Sequence, residues 1–341
     1  MGVSLRPSRR TNQALLVLLA GAFVTGWVAF WFERPLDSRV VSVLHGILGL
    51  GIVVLIPWKT VIVRRGLRRR WGHGDAVALA VVVALSLVAG VLHATLGPLE
   101  VAGITALQVH VGSAIAAVPL ALIHVVRRPQ RVRATDLSRR AVVRAIGVGG
   151  TAALAYGALE VVTSVAGLPG ARRRATGSYE QGSGVPSAMP VTQWFTDGVP
   201  GIDVATYELL VSRPGEPTRR LSYGGLLAMT SITEAALLDC TGGWWAEQTW
   251  RGVRLHTLLG NPDHGSIVVR SVTGYTRRFP PEEATSLLLA THVGGDRLAP
   301  GHGAPVRLVA PGHRGFWWVK WVEEVSVEPQ PSWWEPPFPL Q

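Results

Sequence analysis

Long apolar segments alternate with short polar connections over the first half of the chain, whereas short apolar runs separated by glycine and proline fill the second half. Four segments in the first half are long enough to cross a hydrocarbon layer of about 30 Å as helices that rise about 1.5 Å per residue. A fifth segment is less apolar. The five segments lie near residues 13–32, 39–58, 76–96, 104–126 and 141–168.

This pattern divides the 341 residues into several parts. We predict an all-α bundle of four transmembrane helices over 1–135 and a fifth transmembrane helix over 136–170. A Gly/Ser/Arg-rich stretch at 171–190 indicates a linker. The short apolar runs that follow predict a strand-rich α+β domain over 191–328, and a Pro/Trp-rich tail ends the chain at 329–341.

The basic charge belongs to the first half. Residues 1–170 carry 18 Lys and Arg and 6 Asp and Glu, a net charge of +12, whereas residues 171–341 carry 15 and 16, a net charge of −1. The excess forms short clusters between apolar segments, which indicates membrane topology rather than a nucleic-acid-binding face. Because the connections after the second and fourth helices are strongly basic, we expect a multi-pass cell-membrane protein with a cytoplasmic amino terminus and an extracytoplasmic second half.

The fifth helix starts with a paired arginine, Arg139 and Arg140, which follows Ser138 and precedes apolar residues. The start resembles a twin-arginine export signal that is retained as an anchor. Ordinary positive charge at the cytoplasmic end of a helix is the alternative. Export by the twin-arginine route would carry the second half across the membrane already folded, with a cofactor inserted.

Four histidines lie inside the predicted helices: His45, His93, His110 and His124. Ionisable side chains are costly in a membrane and therefore indicate function. His110 and His124 are 14 residues apart, close to four helical turns, so they project from one face at depths about 21 Å apart. This spacing resembles that of four-helix membrane b-type cytochromes, in which two helices each supply one imidazole to a haem iron. His45 and His110 lie at similar depths, and we predict that they bind one haem b.

The other two histidines leave alternatives open. His93 is a rival ligand of the same haem or a hydrogen-bond donor to a propionate. His124 has no obvious partner for a second haem, since Lys59 stands 14 residues after His45, and His73 is the one remaining candidate. All four could instead make hydrogen bonds between helices.

Cys240 is the one cysteine of the chain. It cannot form an internal disulfide, so it is either a small apolar core residue or a ligand. Gly242 and Gly243 allow close approach of the backbone to a large group, and Trp244 and Trp245 can form the wall of a pocket.

An ordered set of motifs surrounds this cysteine. The set resembles the molybdopterin-binding domain of the sulfite oxidase family over about residues 176–328, and within that family it is more similar to the periplasmic methionine-sulfoxide reductase catalytic subunit than to sulfite oxidase itself. The motifs are Leu238-Asp239-Cys240-Thr241-Gly242-Gly243-Trp244, Trp250-Arg251-Gly252-Val253, Gly274-Tyr275, Leu289-Ala290, His302-Gly303-Ala304-Pro305-Val306-Arg307-Leu308-Val309, Pro311-Gly312, Gly315 and Val319-Lys320-Trp321.

The resemblance implies a Mo-molybdopterin cofactor with the Cys240 thiolate as a molybdenum ligand, a role that suits a soft anionic sulfur. Trp244 and Arg251 are expected near the substrate. The implied contacts of the pterin and its phosphate are His302, Arg307, Trp318, Val319 and Lys320, with weaker matches at Tyr179, Glu180 and Thr273.

One departure from the family pattern bears on the substrate. Sulfite oxidases and the related nitrate reductases have a basic segment after the cysteine, whereas this chain has Gly243-Trp244-Trp245. An anion site would then need Arg251, Arg277 or Arg278. An aromatic wall favours an uncharged sulfoxide or N-oxide over sulfite.

We therefore predict a membrane-anchored molybdenum oxidoreductase that transfers an oxygen atom and exchanges electrons, through its haem, with quinone or another membrane carrier. The alternative is a non-catalytic membrane electron-transfer or binding protein with a degenerate molybdopterin domain.

Overall fold

The computed structural model describes residues 9–30, 35–67, 74–130, 136, 138–192 and 198–335. The chain divides into two compact units, Met1–Tyr179 and Glu180–Gln341. The boundary falls in the middle of the predicted linker over 171–190.

Five helices of the first unit are long and apolar enough to cross a membrane, as the hydrophobic pattern predicts. Helix α1 packs on α2, α3 packs on α4, and α5 packs on α2. The helices are α1 (Arg9–Ala29), α2 (Pro35–Leu67), α3 (Gly74–Leu96), α4 (Ala106–Arg127) and α5 (Arg139–Val165).

A small antiparallel hairpin, β1 (Glu100–Val101) and β2 (Ile104–Thr105), connects α3 to α4. Thr105 then caps α4, because its Oγ1 accepts a hydrogen bond from Gln108 N–H at 3.2 Å and Gln108 Oε1 accepts one from Thr105 N–H at 2.8 Å. This capping box fixes the first turn of α4 and, with it, the position of His110 one turn further on.

Residues at the start of the predicted linker fold onto the end of α3. At Gly170 a Cβ atom would lie 2.1 Å from the carbonyl oxygen of Ala94, so glycine is needed for this close approach. Arg173 Nη1 donates to the carbonyl oxygens of Ala94 and Gly170 at 3.1 and 2.7 Å, and Arg173 also pairs with Glu160. The segment before Tyr179 therefore forms part of the helical unit.

The second unit is rich in strands, as predicted, and its described residues include two short α-helices. Strand β3 (Tyr179–Glu180) lies at the boundary of the units. The elements that follow it are β4 (Glu208–Ser212), β5 (Arg219–Ser222), α6 (Tyr223–Met229), β6 (Ile232–Cys240), β7 (Trp244–Arg254), α7 (Leu255–Leu259), β8 (Ser266–Ser271), β9 (Thr276–Phe279), β10 (Leu288–Val293), β11 (Asp296–Arg297), β12 (Arg307–Val309) and β13 (Val322–Glu328).

Two sheets organise these strands. In one, β7 lies between β6 and β10, and β10 also pairs with β11 and β12; all of these pairs are antiparallel. The other has the order β5-β4-β13-β8-β9, in which β4 and β13 run parallel.

Strand β7 shows why the first sheet forms. Its side chains alternate, with Trp244, Ala246, Gln248 and Trp250 buried, as expected for a strand with one face in the core. The Trp250 indole N–H donates to the carbonyl oxygen of Ala236 at 3.1 Å, so the buried polar atom is satisfied. Burial of each large apolar side chain contributes about 1.5–3 kcal/mol. The β6–β7 hairpin is thus anchored by side chains that are buried in the core, and its turn places Cys240 beside Trp244.

Candidate functional site

A cavity opens at the turn of the β6–β7 hairpin and contains six of the predicted site residues. The residues that line it are Pro190, Thr192, Leu238, Cys240, Trp244, His302, Arg307, Gly315, Trp318 and Lys320.

The Cys240 sulfur faces this cavity from the last position of β6. The backbone N–H of Gly242 donates to Sγ at 3.4 Å, and the turn returns through Gly243 at φ +88°, a conformation that favours glycine. Burial raises the pKa of the thiol, whereas the Gly242 N–H and the positive charges of Lys320 and Arg314 lower it. A metal ion that replaces the thiol proton removes the burial penalty on the thiolate.

Two cations, the buried Arg307 and the half-buried Lys320, line the same cavity. The Arg307 guanidinium lies over the rings of Trp250 and Trp318, with its carbon 5.0 and 5.7 Å from their centroids. Its Nη1 donates to the carbonyl oxygen of His302 at 3.1 Å, and its buried Nε has no hydrogen-bond partner among the described residues. Lys320 Nζ donates to the carbonyl oxygens of Thr192 and Gly301.

The electrostatics of these cations indicate an anion site. Burial lowers the pKa of Arg307 to about 10, and burial together with the Arg307 charge lowers the pKa of Lys320 to about 7. Within the described part of the chain, neither side chain forms an ion pair with a carboxylate. Buried positive charges are costly without a counter-charge, so the cavity is suited to a ligand with a phosphate group.

Gly303 allows the cationic residues to converge. It adopts φ +104°, and a Cβ atom there would lie 2.9 Å from Arg307 Cβ and 3.2 Å from Lys320 Cα. The neighbouring His302 is buried, and burial with the charges of Arg307 and Lys320 lowers its pKa to about 4. His302 is therefore neutral at pH 7, when one ring nitrogen can donate and the other can accept a hydrogen bond.

Thr192 is a site residue that the sequence analysis missed. Its hydroxyl accepts a hydrogen bond from the Trp244 indole N–H at 2.9 Å, and its carbonyl accepts one from Lys320 Nζ at 2.8 Å. It also lies against the turn after the cysteine, since a Cβ atom on Gly242 would be 3.2 Å from Thr192 Cγ2. Thr192 is 48 residues from Cys240 in a stretch without a motif, so no local pattern marks it.

Four residues predicted near the cofactor or substrate do not line the cavity. Thr273 lies in the turn after β8, where its backbone N–H donates to Ser271 Oγ at 3.3 Å. Arg251 is exposed on β7, opposite His292 of β10. Glu180 accepts a hydrogen bond from the N–H of Ser183. Tyr179 is the fourth and belongs to the helical unit. Strand alternation and local turns place these residues outside the cavity lining, and their contact with a cofactor or substrate stays a prediction.

Val319, the remaining predicted contact, is buried next to the cavity rather than in it. Its carbonyl oxygen accepts a hydrogen bond from Leu308 N–H at 2.7 Å and so ties the loop before Lys320 to β12. The proposed anion-binding arginines are also engaged elsewhere: Arg277 pairs with Glu335 at 2.6 Å and Arg278 pairs with Glu328 at 2.7 Å.

In the helical unit, two of the predicted haem ligands face each other. The ring centroids of His45 on α2 and His110 on α4 are 5.7 Å apart. Each Nδ1 faces a backbone carbonyl of the preceding helix, His45 at 2.9 Å from Ala22 O and His110 at 2.8 Å from Ser86 O. Neither Nε2 makes a hydrogen bond within the described residues, so both remain available as ligand atoms.

The other two histidines have different surroundings. His93 Nε2 contacts the carbonyl oxygen of Gly177 at 3.1 Å, and the Tyr179 hydroxyl donates to the carbonyl oxygen of His93. His124 Nδ1 lies 3.5 Å from Asp75, which also faces Arg128 at 3.6 Å. Among the described residues no second histidine approaches His124, and His73 lies outside them.

Comparison with known proteins identifies the second unit. Residues 196–334 match the family described as the oxidoreductase molybdopterin binding domain. The second unit thus contains a molybdopterin-binding oxidoreductase domain that is similar to that of sulfite oxidases. The cavity fits a Mo-molybdopterin cofactor, because it combines one soft sulfur atom with two cations that have no carboxylate partner among the described residues.

Three relatives show how far the similarity of the molybdopterin domain extends. Mitochondrial sulfite oxidase of Macaca fascicularis is 29% identical over 170 residues, which cover 39% of this chain and 31% of that protein. Nitrate reductase [NADH] 1 of Nicotiana tabacum is 37% identical over 102 residues, 24% of this chain and 11% of that protein. The uncharacterized oxidoreductase YuiH of Bacillus subtilis is 28% identical over 176 residues, 47% of this chain and 88% of that protein. The chain thus spans about a third of the length of the sulfite oxidase it matches.

Proposed function

We propose that this protein is a membrane-anchored molybdenum oxidoreductase that reduces an uncharged sulfoxide or N-oxide on the extracytoplasmic side of the membrane. The observation that carries the proposal is the cavity in which the Cys240 sulfur and the cations Arg307 and Lys320 converge. Cys240 would bind molybdenum, and His302, Arg307 and Lys320 would hold the pterin and its phosphate.

The bound cofactor supplies two-electron oxygen-atom transfer. Reduction of a sulfoxide consumes two electrons and two protons and releases the sulfide and one water molecule. The role of the protein is to hold the cofactor, to orient the substrate and to exclude bulk water with the ring of Trp244. The Trp244 ring is 5% exposed and is fixed through its indole N–H.

The residues that line the cavity near Cys240 favour an uncharged substrate. Pro190, Leu238, Trp244 and Trp318 supply apolar surface there. Of the arginines that could have completed an anion site, Arg277 and Arg278 pair with glutamates, and Arg251 is exposed on β7 away from the cavity. A buried sulfite would need a counter-charge beyond those that hold the phosphate, and the described residues offer none.

The paired histidines support a haem b in the helical unit. His45 and His110 come from two helices, their rings are adjacent, and each Nδ1 is held by a carbonyl. A carbonyl acceptor at one ring nitrogen commonly orients the other nitrogen toward a metal. Such a haem would pass electrons one at a time to the molybdopterin domain from a reduced membrane carrier such as a quinol, which is oxidised to the quinone.

The orientation of the chain follows from its charges. The basic clusters after the second and fourth apolar segments favour the cytoplasmic side, and five crossings then put the molybdopterin domain outside. Arg139 and Arg140 at the start of α5 fit a twin-arginine signal that exports this domain folded.

The test uses the full chain purified in detergent. We expect about one molybdenum per chain by elemental analysis and viologen-driven reduction of sulfoxides or N-oxides that exceeds sulfite oxidation. Cys240→Ser should abolish turnover while the protein stays in the membrane fraction, whereas His256→Gln, outside the cavity, should not. A wild-type chain without molybdenum, or a fully active Cys240→Ser variant, would contradict the proposal and favour a non-catalytic membrane protein.

A further inference from the structure

A buried ion pair lies directly behind Cys240. Arg314 Nη1 donates to Asp239 Oδ1 at 3.0 Å, and the two side chains are 4% and 8% exposed. The backbones of the same residues also form an isolated parallel bridge. Asp239 precedes Cys240 on β6, and because side chains alternate along a strand, the carboxylate points away from the cavity that the sulfur faces.

Arg314 belongs to the loop that forms the wall of the cavity opposite β6, and its pairing with Asp239 holds this loop against the strand. The next residue, Gly315, packs on the cysteine so closely that a Cβ atom would lie 2.9 Å from Cys240 Cα and 3.2 Å from the carbonyl oxygen of Asp239. The same loop continues to Trp318 and Lys320, which line the cavity. The Trp318 indole N–H donates back to the carbonyl oxygen of His313 at 2.9 Å, so the loop is internally fixed.

The pair therefore connects two parts of the site that are distant in sequence. One is the strand that ends in the sulfur, and the other is the loop that carries the aromatic and cationic wall. A buried ion pair adds little net stability compared with apolar residues of the same size, because desolvation of both charges offsets their attraction. A geometric role explains its presence better than stability does.

We propose that Asp239 and Arg314 are positioning residues that fix the Cys240 sulfur relative to the loop bearing Trp318 and Lys320, and thereby set the metal–sulfur geometry. The inference rests on the proposed function, since it assumes that Cys240 binds molybdenum. Residues that orient a metal ligand commonly change metal affinity or activity by about 10- to 100-fold when they are altered.

The experiment compares cofactor-loaded full chains in detergent. The single variants Asp239→Asn and Arg314→Gln each break the pair. The double variant Asp239→Leu/Arg314→Met replaces it by apolar side chains, which is commonly neutral or favourable for stability. The matched control is Glu234→Gln, which alters the ion pair between Glu234 and Arg254 at the other end of the same hairpin.

The measurements are molybdenum content, the electron paramagnetic resonance spectrum of the Mo(V) state and the thermal unfolding midpoint. We expect the double variant to unfold near the wild-type temperature while its Mo(V) g-values shift or its molybdenum is lost, and activity per molybdenum to fall about 10- to 100-fold. The single variants should show the same spectral change with a lower unfolding midpoint, and the control should keep the wild-type spectrum.

Two outcomes would overturn the inference. One is a double variant with wild-type molybdenum content and Mo(V) spectrum, and the other is an equal spectral change in Glu234→Gln. Both require molybdenum in the wild-type chain, so they leave the proposed function intact. Absence of molybdenum from the wild type would instead refute the proposed function.

Discussion

The imidazole rings of His45 and His110 meet edge to face, with an angle of 84° between their planes. The two rings have the same surroundings. The carbonyl of Ala22 faces Nδ1 of His45, and the carbonyl of Ser86 faces Nδ1 of His110. The glycine four residues after each carbonyl, Gly26 and Gly90 respectively, packs against the same ring. The hairpins α1–α2 and α3–α4 thus present their histidines in the same way. Two matched environments are what the proposed haem requires of its two ligands.

The first prediction concerns the haem. His45→Ala and His110→Ala should each abolish the Soret and α-band absorbance of the purified full chain, because each removes one of two axial ligands. His124→Ala, which alters the cluster around Asp75, should keep the spectrum of this haem. Unchanged absorbance in both ligand variants would show that the helices bind no haem at this pair.

The second prediction concerns the glycines beside the rings. A Cβ atom on Gly26 would lie 2.9 Å from His45 Cε1, and one on Gly90 would lie 2.8 Å from His110 Nδ1, so Gly26→Ala and Gly90→Ala must displace the rings. We expect a shifted haem midpoint potential or reduced haem content in redox titrations. Gly112→Ala on α4 is the control, since among the described residues no atom beyond the backbone of its own helix lies within 4 Å of its Cβ position. Equal titration curves for all three variants would contradict the packing argument.

Hydrophobic segment length predicts the helices, whereas the order of sequence motifs predicts the cavity residues. Five apolar segments suffice for the helices, because a helix satisfies the backbone hydrogen bonds of a membrane-crossing segment within that segment. The cavity residues Cys240, His302, Arg307, Trp318 and Lys320 were found because they lie in motifs with fixed order, not because their spacing shows that they converge.

Contacts distant in sequence account for most of what the sequence does not predict. Thr192 acquires its role from Trp244 and Lys320, which approach only after the sheets form. The stretch around Gly170 and Arg173 has the composition of a linker, yet close packing on Ala94 holds it on α3 and the Arg173–Glu160 pair holds it on α5. A Gly/Ser/Arg-rich composition indicates that a segment is flexible on its own, but it does not predict contacts with helices that are distant in sequence.

The third prediction follows from the charge of Lys320. Its pKa is lowered from 10.5 to about 7 in the folded chain without an anion. Between these values the unfolded chain binds more protons, so the free energy of unfolding of the cofactor-free protein should rise with pH, by about 2 kcal/mol from pH 7 to pH 9. The cofactor-free protein can be produced in a host that lacks molybdopterin. Thermal unfolding of this protein, followed by tryptophan fluorescence at several pH values, measures how the free energy of unfolding changes with pH.

Lys320→Met supplies the comparison for the pH dependence. The substitution removes the titrating group, so its slope should be lower than that of the wild type over the same window. A bound phosphate stabilises the charged ammonium and raises its pKa, and inorganic phosphate should therefore stabilise the wild type more at pH 7 than at pH 9. Parallel slopes for the two proteins would mean that Lys320 does not titrate in this range.

The last prediction separates the substrate wall from the cofactor site. Thr192→Val keeps the shape of the side chain but removes the oxygen that accepts the Trp244 indole N–H. Loss of one such hydrogen bond costs about 1 kcal/mol, so we expect KM for a sulfoxide to rise roughly 5-fold while molybdenum content stays constant. Thr192→Ser restores the acceptor and should recover most of the affinity, and Thr249→Val at an exposed position of β7 is the neutral control. Because Thr192 also binds Lys320 through its main-chain carbonyl, which neither substitution removes, a loss of molybdenum in Thr192→Val would show that its hydroxyl serves the cofactor rather than the substrate wall.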